Sequence, residues 1–140
     1  MRLVFDTNVL VAAQRSRSGA SAHLMTAVRE RKLTPVASVA LFLEYEAVLT
    51  RPEQLAASGL DVETVLAALG ALASVIEPVD IHFRVRPAAN DPDDDMVLEA
   101  AVNGRADGLV TFESAAFVPG AARHGIRLMT PAAAWRILKP

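Results

Sequence analysis

Short apolar segments alternate with helical segments along the whole chain. Strands are predicted at residues 2–5, 34–38, 74–79, 107–111 and 125–129. Periodicity and capping residues predict helices at residues 7–13, 21–32 (or from Ser18), 39–50, 61–73, 96–102 and 131–138. Strands that alternate with helices form parallel pairs through right-handed crossovers. The alternation therefore predicts an α/β fold with a central parallel sheet of about five strands and helices on both faces.

Three polar residues are predicted to cap helices in this pattern, namely Ser38, Asp61 and Thr130. The helix after Asp61 should bury an apolar face made of Val65, Leu66, Leu69 and Leu72. Two segments are less regular. Residues 80–86 alternate polar and apolar as an edge strand would, and residues 114–124 are predicted as a loop or a short helix.

Length and composition predict one domain spanning residues 1–140. The chain is 52% hydrophobic and 21% charged, with a mean hydropathy of +0.29. These values provide a full hydrophobic core and argue against disorder. No apolar run approaches the ~20 residues that cross a membrane, and the first residues do not resemble a secretory signal. We therefore expect a cytoplasmic protein with no membrane segment.

The residue types limit the metal chemistry that is open to this chain. It has no cysteine and three histidines, His23, His82 and His124, which lack the spacing of a zinc site. Disulfides and thiolate metal sites are thus excluded. Any metal ion would be held by oxygen ligands, which favours Mg²⁺ or Mn²⁺.

The first predicted strand ends on a carboxylate, Asp6, which is followed by Thr7 and Asn8. Ligand sites in open α/β sheets form at the carboxyl ends of the strands, so Asp6 is a candidate ligand. The alternative is that Asp6 only caps the next helix, which is a common role of aspartate. This segment alone leaves both roles open.

Three other acidic residues are predicted at the same edge of the sheet. Glu44 shares the inward face of helix 39–50, whereas Glu46 falls on a solvated face. Asp94 lies in the first turn of the next acidic helix, and Glu113 follows the fourth strand. An arginine partner for Glu44, or attraction of Asp94 to the helix dipole, would be alternative explanations. Together the four carboxylates would repel one another unless a divalent cation lay between them.

Five segments, in this order and spacing, resemble those of PIN-domain proteins, in particular the VapC-like toxins of bacterial toxin–antitoxin systems: FDTNVL, LFLEYEAVLTRP, DPDDDMVLEAA, ADGLVTFESAAF and GIRLMTPAAA. The resemblance covers nearly the whole chain. It implies a three-layer α/β/α sandwich and an endoribonuclease that hydrolyses RNA phosphodiester bonds with Mg²⁺- or Mn²⁺-activated water. It also implies a homodimer and an antitoxin protein that blocks the site.

The resemblance also assigns catalytic and metal-binding roles to acidic residues. The family's first three acids match Asp6, Glu44 and Asp94. The fourth position is usually aspartate and is Glu113 here, whose longer side chain could bind the ion directly, through water or poorly. Asp91 is the next candidate for the third acid, with Asp93 and Asp95 expected in solvent. Polar positions that orient the acids or a water match Thr7, Asn8 and Thr111.

Positive charge is concentrated near the start of the chain. The net charge is −2, which argues against a globally basic nucleic-acid binder, but residues 1–51 hold seven basic and four acidic residues. Arg15, Arg17 and Arg51 lie near the predicted rim and are candidates for RNA phosphate contacts. Solvated surface positions are the alternative for each of them.

Two other function classes remain open from the sequence. Another metal-dependent nuclease or phosphohydrolase could use the same acids, although phosphatases with an aspartate nucleophile place a second aspartate where Asn8 stands. A non-catalytic PIN-like module that binds RNA or protein is the second alternative. Glu113 favours that module, whereas the intact Asp6, Glu44 and Asp94 oppose it.

Overall fold

A five-stranded parallel sheet forms the centre of the computed structural model, which describes residues 1–84 and 92–139. The strands are β1 (Arg2–Phe5), β2 (Thr34–Ala37), β3 (Glu77–Pro78), β4 (Gly108–Val110) and β5 (Leu128–Met129). The helices are α1 (Thr7–Arg15), α2 (Ala20–Arg29), α3 (Val39–Leu49), α4 (Pro52–Ser58), α5 (Val62–Val75), α6 (Pro92–Asn103), α7 (Ser114–His124) and α8 (Pro131–Leu138). The predicted α/β/α fold with about five parallel strands is confirmed.

The strand order is β3-β2-β1-β4-β5. The chain builds outward from β1 to β3 and then returns to place β4 on the other side of β1. The direction of winding thus reverses between β1 and β4, and a crevice forms at such a switch point beyond the carboxyl ends of the two strands. Phe5 pairs with Val110 at the end of this ladder, so the next residues, Asp6 and Thr111, emerge side by side.

The reversal also distributes the helices over the two faces of the sheet. Right-handed crossovers that run in opposite directions place their helices on opposite faces. Accordingly, α6 packs on β1, β2 and β4 and against α7, while α1 packs against α2 and α3. The layers enclose a core of fully buried side chains that includes Leu3, Leu24, Leu41, Leu98 and Phe117.

The three predicted helix caps are present. Side-chain oxygens of Ser38, Asp61 and Thr130 accept hydrogen bonds from the backbone N–H groups of Leu41, Thr64 and Ala133, at 3.1, 2.7 and 3.1 Å. These bonds join residues three apart in sequence, so they depend on local sequence alone.

Several predicted boundaries were wrong. The second helix begins at Ala20 after an N-cap at Gly19. Of the two alternatives for residues 114–124, the structure has the helix. The third strand is limited to Glu77–Pro78 because α5, which is rich in alanine and leucine, continues to Val75. Residues 80–84 form no strand, and residues 85–91 lie outside the described residues.

The predicted inward face of α5 also needs one correction. Val65 and Leu69 are buried, but Leu66 is 45% exposed. The helix packs on α2 and α3 through a narrow stripe, so the residue next to Val65 turns outward.

A second helix–helix contact joins α2 to α8, where the rings of His23 and Trp135 stack with centroids 5.2 Å apart.

In the described ranges, no single helix is long and apolar enough to cross a membrane. Only α4 and α5 taken together meet the length and composition for a span, and they are bent by 90° relative to each other.

Candidate functional site

Asp6 and Thr111 meet at the switch point of the sheet. The backbone N–H of Asp6 donates to the Val110 carbonyl at 2.9 Å, which extends the β1–β4 ladder by one residue. The Thr111 hydroxyl donates to Oδ2 of Asp6 at 2.7 Å. Thr111 is fully buried and Asp6 is 7% exposed. The carboxylate is therefore held in a fixed position and largely out of water.

Asp6 does not act as a simple helix cap. Its backbone occupies the N-cap position of α1, but its side chain makes no capping hydrogen bond to that helix. The pKa of Asp6 is raised above its usual value. Burial is the largest cause, and the charge of Glu113 adds to it. Hydrogen bonds from the hydroxyl of Thr111 and the backbone N–H of Thr7 act in the opposite direction and lower the pKa. No Arg or Lys among the described residues forms an ion pair with it. Within the described part of the chain, an ionised Asp6 therefore has no basic partner.

Glu113 is linked to Asp6 through hydrogen bonds made by the hydroxyl of Thr111. Its backbone N–H donates to the Thr111 hydroxyl oxygen at 3.0 Å, and its side chain is exposed at the start of α7. Burial is the main cause of the raised pKa of Asp6, and the negative charge of Glu113 adds to it. The structure thus brings together the first and fourth predicted acids.

The helix that carries Glu44 is anchored to β1 by the next residue, Tyr45. Tyr45 is buried, and its hydroxyl donates to the carbonyl of Phe5, the last residue of β1. Burial and the nearby charge of Asp6 both raise the pKa of Tyr45. This contact ties α3 to the end of β1. Glu44 is half-buried and Glu46 is exposed, as predicted.

The acids at the start of α6 differ from the prediction. Asp94 is half-buried, whereas Asp95, expected in solvent, is 5% exposed. Glu99, one turn later on the same face, is also buried. The apolar residues of α6 set its rotation against the sheet and turn Asp95 inward with them. Sequence reasoning missed these two acids, although their spacing of four residues was a signal; Asp91 lies outside the described residues.

The described residues have the donor chemistry for a hard divalent cation but do not form a complete cluster. Among the side chains that the structure describes, no three from Asp, Glu or His are grouped closely enough to hold a metal ion. Asp6 is nevertheless a buried carboxylate with no Arg or Lys partner among the described residues, and carboxylates are preferred ligands of Mg²⁺. Thr7 is buried beside it, and Oδ1 of Asn8 is buried without a hydrogen-bond partner among the described residues. The four-acid metal site therefore stays a prediction.

The three candidate arginines have different surroundings. Nε of Arg15 donates to the buried side chain of Gln54 at 2.8 Å, which joins the end of α1 to α4. Arg17 is exposed and lines a groove between α1, α2 and α5. Arg51 is exposed at the N-cap of α4. Only Arg15 has its orientation fixed by a hydrogen bond among these three.

Together, the fold and the site define an open α/β protein with an acidic centre at the switch point of its sheet. The chain belongs to the PIN domain family, whose model matches residues 2–115. Members of this family are generally nucleases. The predicted family resemblance is confirmed.

Among solved structures, a chain of the crystal structure of VapBC2 from Rickettsia felis bound to a DNA fragment from their promoter has a similar fold. The TM-score is 0.62 at 14% sequence identity, and the match covers 93% of this chain and 98% of that chain. No curated protein sequence matches this chain significantly.

Proposed function

We propose that this protein is a Mg²⁺- or Mn²⁺-dependent endoribonuclease and the toxin of a toxin–antitoxin pair. The observation that carries the proposal is the buried carboxylate of Asp6, which is oriented by Thr111 and lies beside the charge of Glu113 without a basic partner among the described residues. Burial and the nearby like charge both disfavour the ionised form of Asp6, and a divalent cation bound beside it would offset both effects. The PIN domain family and the VapBC2-like fold support the same class of function.

In this proposal the chain's own residues bind and orient the reacting groups. Asp6, Glu44, Asp94 and Glu113 hold the cation, and the buried Asp95 is a further candidate. Mg²⁺ held by these residues would neutralise charge on the phosphate and lower the pKa of a bound water. Thr111 fixes Asp6, and Thr7 and Asn8 supply polar groups at the start of α1. Arg15, Arg17 and Arg51 contact RNA phosphates.

Cleavage of RNA by the purified protein tests this function. Wild-type protein should cut single-stranded RNA with Mg²⁺ or Mn²⁺ and not with EDTA, and Asp6→Asn should lower the rate at least ~100-fold, since it removes a charge that acts in catalysis. Equal cleavage by Asp6→Asn would point to a contaminating nuclease and refute the assignment. A single-stranded DNA of the same sequence tests the substrate class, and preferential cleavage of DNA would replace RNA in the proposal.

Glu44 and Glu46 provide a matched pair for the second acid. Both lie on α3, but Glu44 is half-buried and Glu46 is exposed. Glu44→Gln should lower cleavage strongly, whereas Glu46→Gln should leave it unchanged. Equal effects of the two substitutions would remove Glu44 from the proposed site.

The antitoxin is proposed to bind the groove between α1, α2 and α5. This groove has a volume of about 650 Å³ and is lined by apolar side chains that include Leu10, Met25 and Leu72, with Arg17 and Arg29 also in its wall. An amphipathic helix that carries acidic residues beside its apolar face complements such a surface. Leu72→Glu should weaken the complex with the antitoxin and preserve cleavage. Unchanged affinity would exclude the groove.

The homodimer is proposed to form through the outer faces of α3 and α5. These two helices pack together, and each exposes two large aliphatic side chains four residues apart, Val39 and Leu43 on α3 and Val62 and Leu66 on α5. Adjacent exposed apolar side chains are typical of interaction sites. Leu43→Glu should convert a dimer into a monomer in light scattering, and a wild-type monomer would refute this part of the proposal.

A non-catalytic binding module is the second candidate. It is favoured by the exposure of Glu113 and by the lack of a three-acid cluster in the described ranges. RNA binding that needs no metal, without cleavage in Mg²⁺ or Mn²⁺, would support it.

A further inference from the structure

Phe112 is an exposed aromatic residue at the candidate site. It follows β4 and Thr111, which are completely buried, yet its own side chain is 54% exposed. No ring contact involves Phe112 in the described part of the chain. A large apolar side chain in this position is exposed at a cost and is available to a ligand.

The backbone on either side of Phe112 is held in place. The Thr111 hydroxyl accepts a hydrogen bond from the N–H of Glu113 at 3.0 Å, which closes a turn with Phe112 at its apex. The same hydroxyl donates to Asp6 at 2.7 Å. Thr111 N–H donates to the carbonyl of Met129, so the turn is also anchored to β5. The ring of Phe112 thus projects from a fixed backbone, between the two site residues Thr111 and Glu113.

We propose that Phe112 is a stacking platform for an unpaired nucleobase adjacent to the phosphate that is cleaved. This inference rests on the proposed nuclease function and adds a binding subsite to it. An aromatic face stacks on any base, and a phenylalanine ring on a fixed backbone has only two side-chain torsions to restrict on binding. A base in a duplex is stacked on its neighbours and cannot cover the ring. The subsite therefore selects single-stranded segments, loops and bulges.

Phe83 offers a matched control within the same chain. It is 69% exposed, but its backbone N–H and carbonyl are hydrogen-bonded to the side chain of Asn103 at the end of α6. The carbonyl of Gly104, the residue after Asn103, accepts a hydrogen bond from Arg2 at the start of β1. Phe83 therefore lies near the amino edge of the sheet, away from the carboxyl edge that carries Asp6.

Binding of a fluorescein-labelled single-stranded RNA, measured by anisotropy with Mg²⁺, tests the subsite. The parent carries Asp6→Asn so that the RNA is not cut. Adding Phe112→Ala should raise Kd roughly 5- to 100-fold, in line with the loss of one stacked base. Phe112→Trp should restore the affinity, and its indole fluorescence should be quenched by the RNA. Phe83→Ala should leave Kd unchanged.

An abasic nucleotide moved along the RNA locates the partner of Phe112. At one position, loss of the base should weaken binding by the parent and have no further effect on the Phe112→Ala protein, because each change removes the same contact.

Three outcomes would overturn the inference. If the parent binds RNA and Phe112→Ala binds equally well, the subsite is refuted while the proposed function stands. If neither RNA binding by the parent nor cleavage by the wild type is detected, both fail. If Phe112→Ala weakens only the complex with the antitoxin, Phe112 belongs to a protein interface.

Discussion

The hydroxyl of Thr111 lies 2.7 Å from Oδ2 of Asp6, to which it donates a hydrogen bond across 105 residues of sequence. Each residue directly follows a central strand, and the two strands are neighbours only because the chain reverses its winding between them. The same hydroxyl accepts a hydrogen bond from the N–H of Glu113, so the Thr111 side chain links Asp6 to Glu113.

Replacing Thr111 with valine should impair both stability and catalysis. Valine has the same shape but cannot donate to Asp6 or accept from Glu113, and loss of hydrogen bonds to buried groups costs about 1–3 kcal/mol of unfolding free energy. Since the Thr111 hydroxyl lowers the pKa of Asp6, its removal should raise that pKa and move the acidic limb of the pH–rate profile to higher pH. Urea denaturation and pH–rate profiles measure the two effects. Thr111→Ser is the control that keeps the hydroxyl.

Asp6→Asn should stabilise the protein at neutral pH in the absence of metal. The pKa of Asp6 is higher in the folded state than in the unfolded state, where it is about 3.8. As pH rises from about 3.8 through the folded-state pKa, the unfolded state loses its proton first, so the wild type becomes less stable. The stability gained by Asp6→Asn should thus be largest above the folded-state pKa and diminish toward pH 4. Denaturant unfolding at several pH values in EDTA tests this. A variant less stable than wild type at pH 7 would contradict it.

Divalent cations should reverse that order of stability. A ligand that binds only the folded state at 100 times its Kd stabilises it by about 2.7 kcal/mol. Mn²⁺ should therefore raise the melting temperature of the wild type and of Glu46→Gln, and change that of Asp6→Asn little. Equal shifts for all three proteins would indicate that the ion binds elsewhere.

Tyr45→Phe should loosen the attachment of α3 to the carboxyl end of β1. The variant keeps the buried ring but removes the hydrogen bond to the Phe5 carbonyl, which should cost about 0.5–1.5 kcal/mol of unfolding free energy. Because Glu44 adjoins Tyr45, we also expect weaker Mn²⁺ binding by calorimetry. Loss of stability with unchanged Mn²⁺ affinity would assign Tyr45 a purely structural role.

Gly104→Ala and Gly70→Ala should have opposite effects on stability. A Cβ atom at Gly104 would lie 2.6 Å from Cγ1 of Val36 and 2.8 Å from the carbonyl oxygen of Ala100, so we expect destabilisation by about 1–3 kcal/mol. A Cβ atom at Gly70 on α5 meets no atom within 4 Å, and alanine there should stabilise by up to about 1 kcal/mol. Urea denaturation of both variants measures the contrast.

Local sequence alone determined the alternation of strands and helices and the position of Asp6 after the first strand. It also determined the caps at Ser38, Asp61 and Thr130, because each cap bond reaches only three residues along the chain. Thr7, Asn8 and Thr111 were named in advance through the family resemblance, which matches short motifs at these positions. The other features depend on short-range geometry and on periodicity, which a single sequence contains.

The tertiary structure decided which of these local features meet. The pairing of β1 with β4 sets Thr111 against Asp6, and the packing of α3 on the end of β1 places Tyr45 there. The rotation of α6 against the sheet buries Asp95, which the sequence pattern had assigned to solvent. Periodicity identifies an apolar face but not the surface that it covers, because that surface comes from residues distant in sequence. Only the assembled sheet supplies those partners.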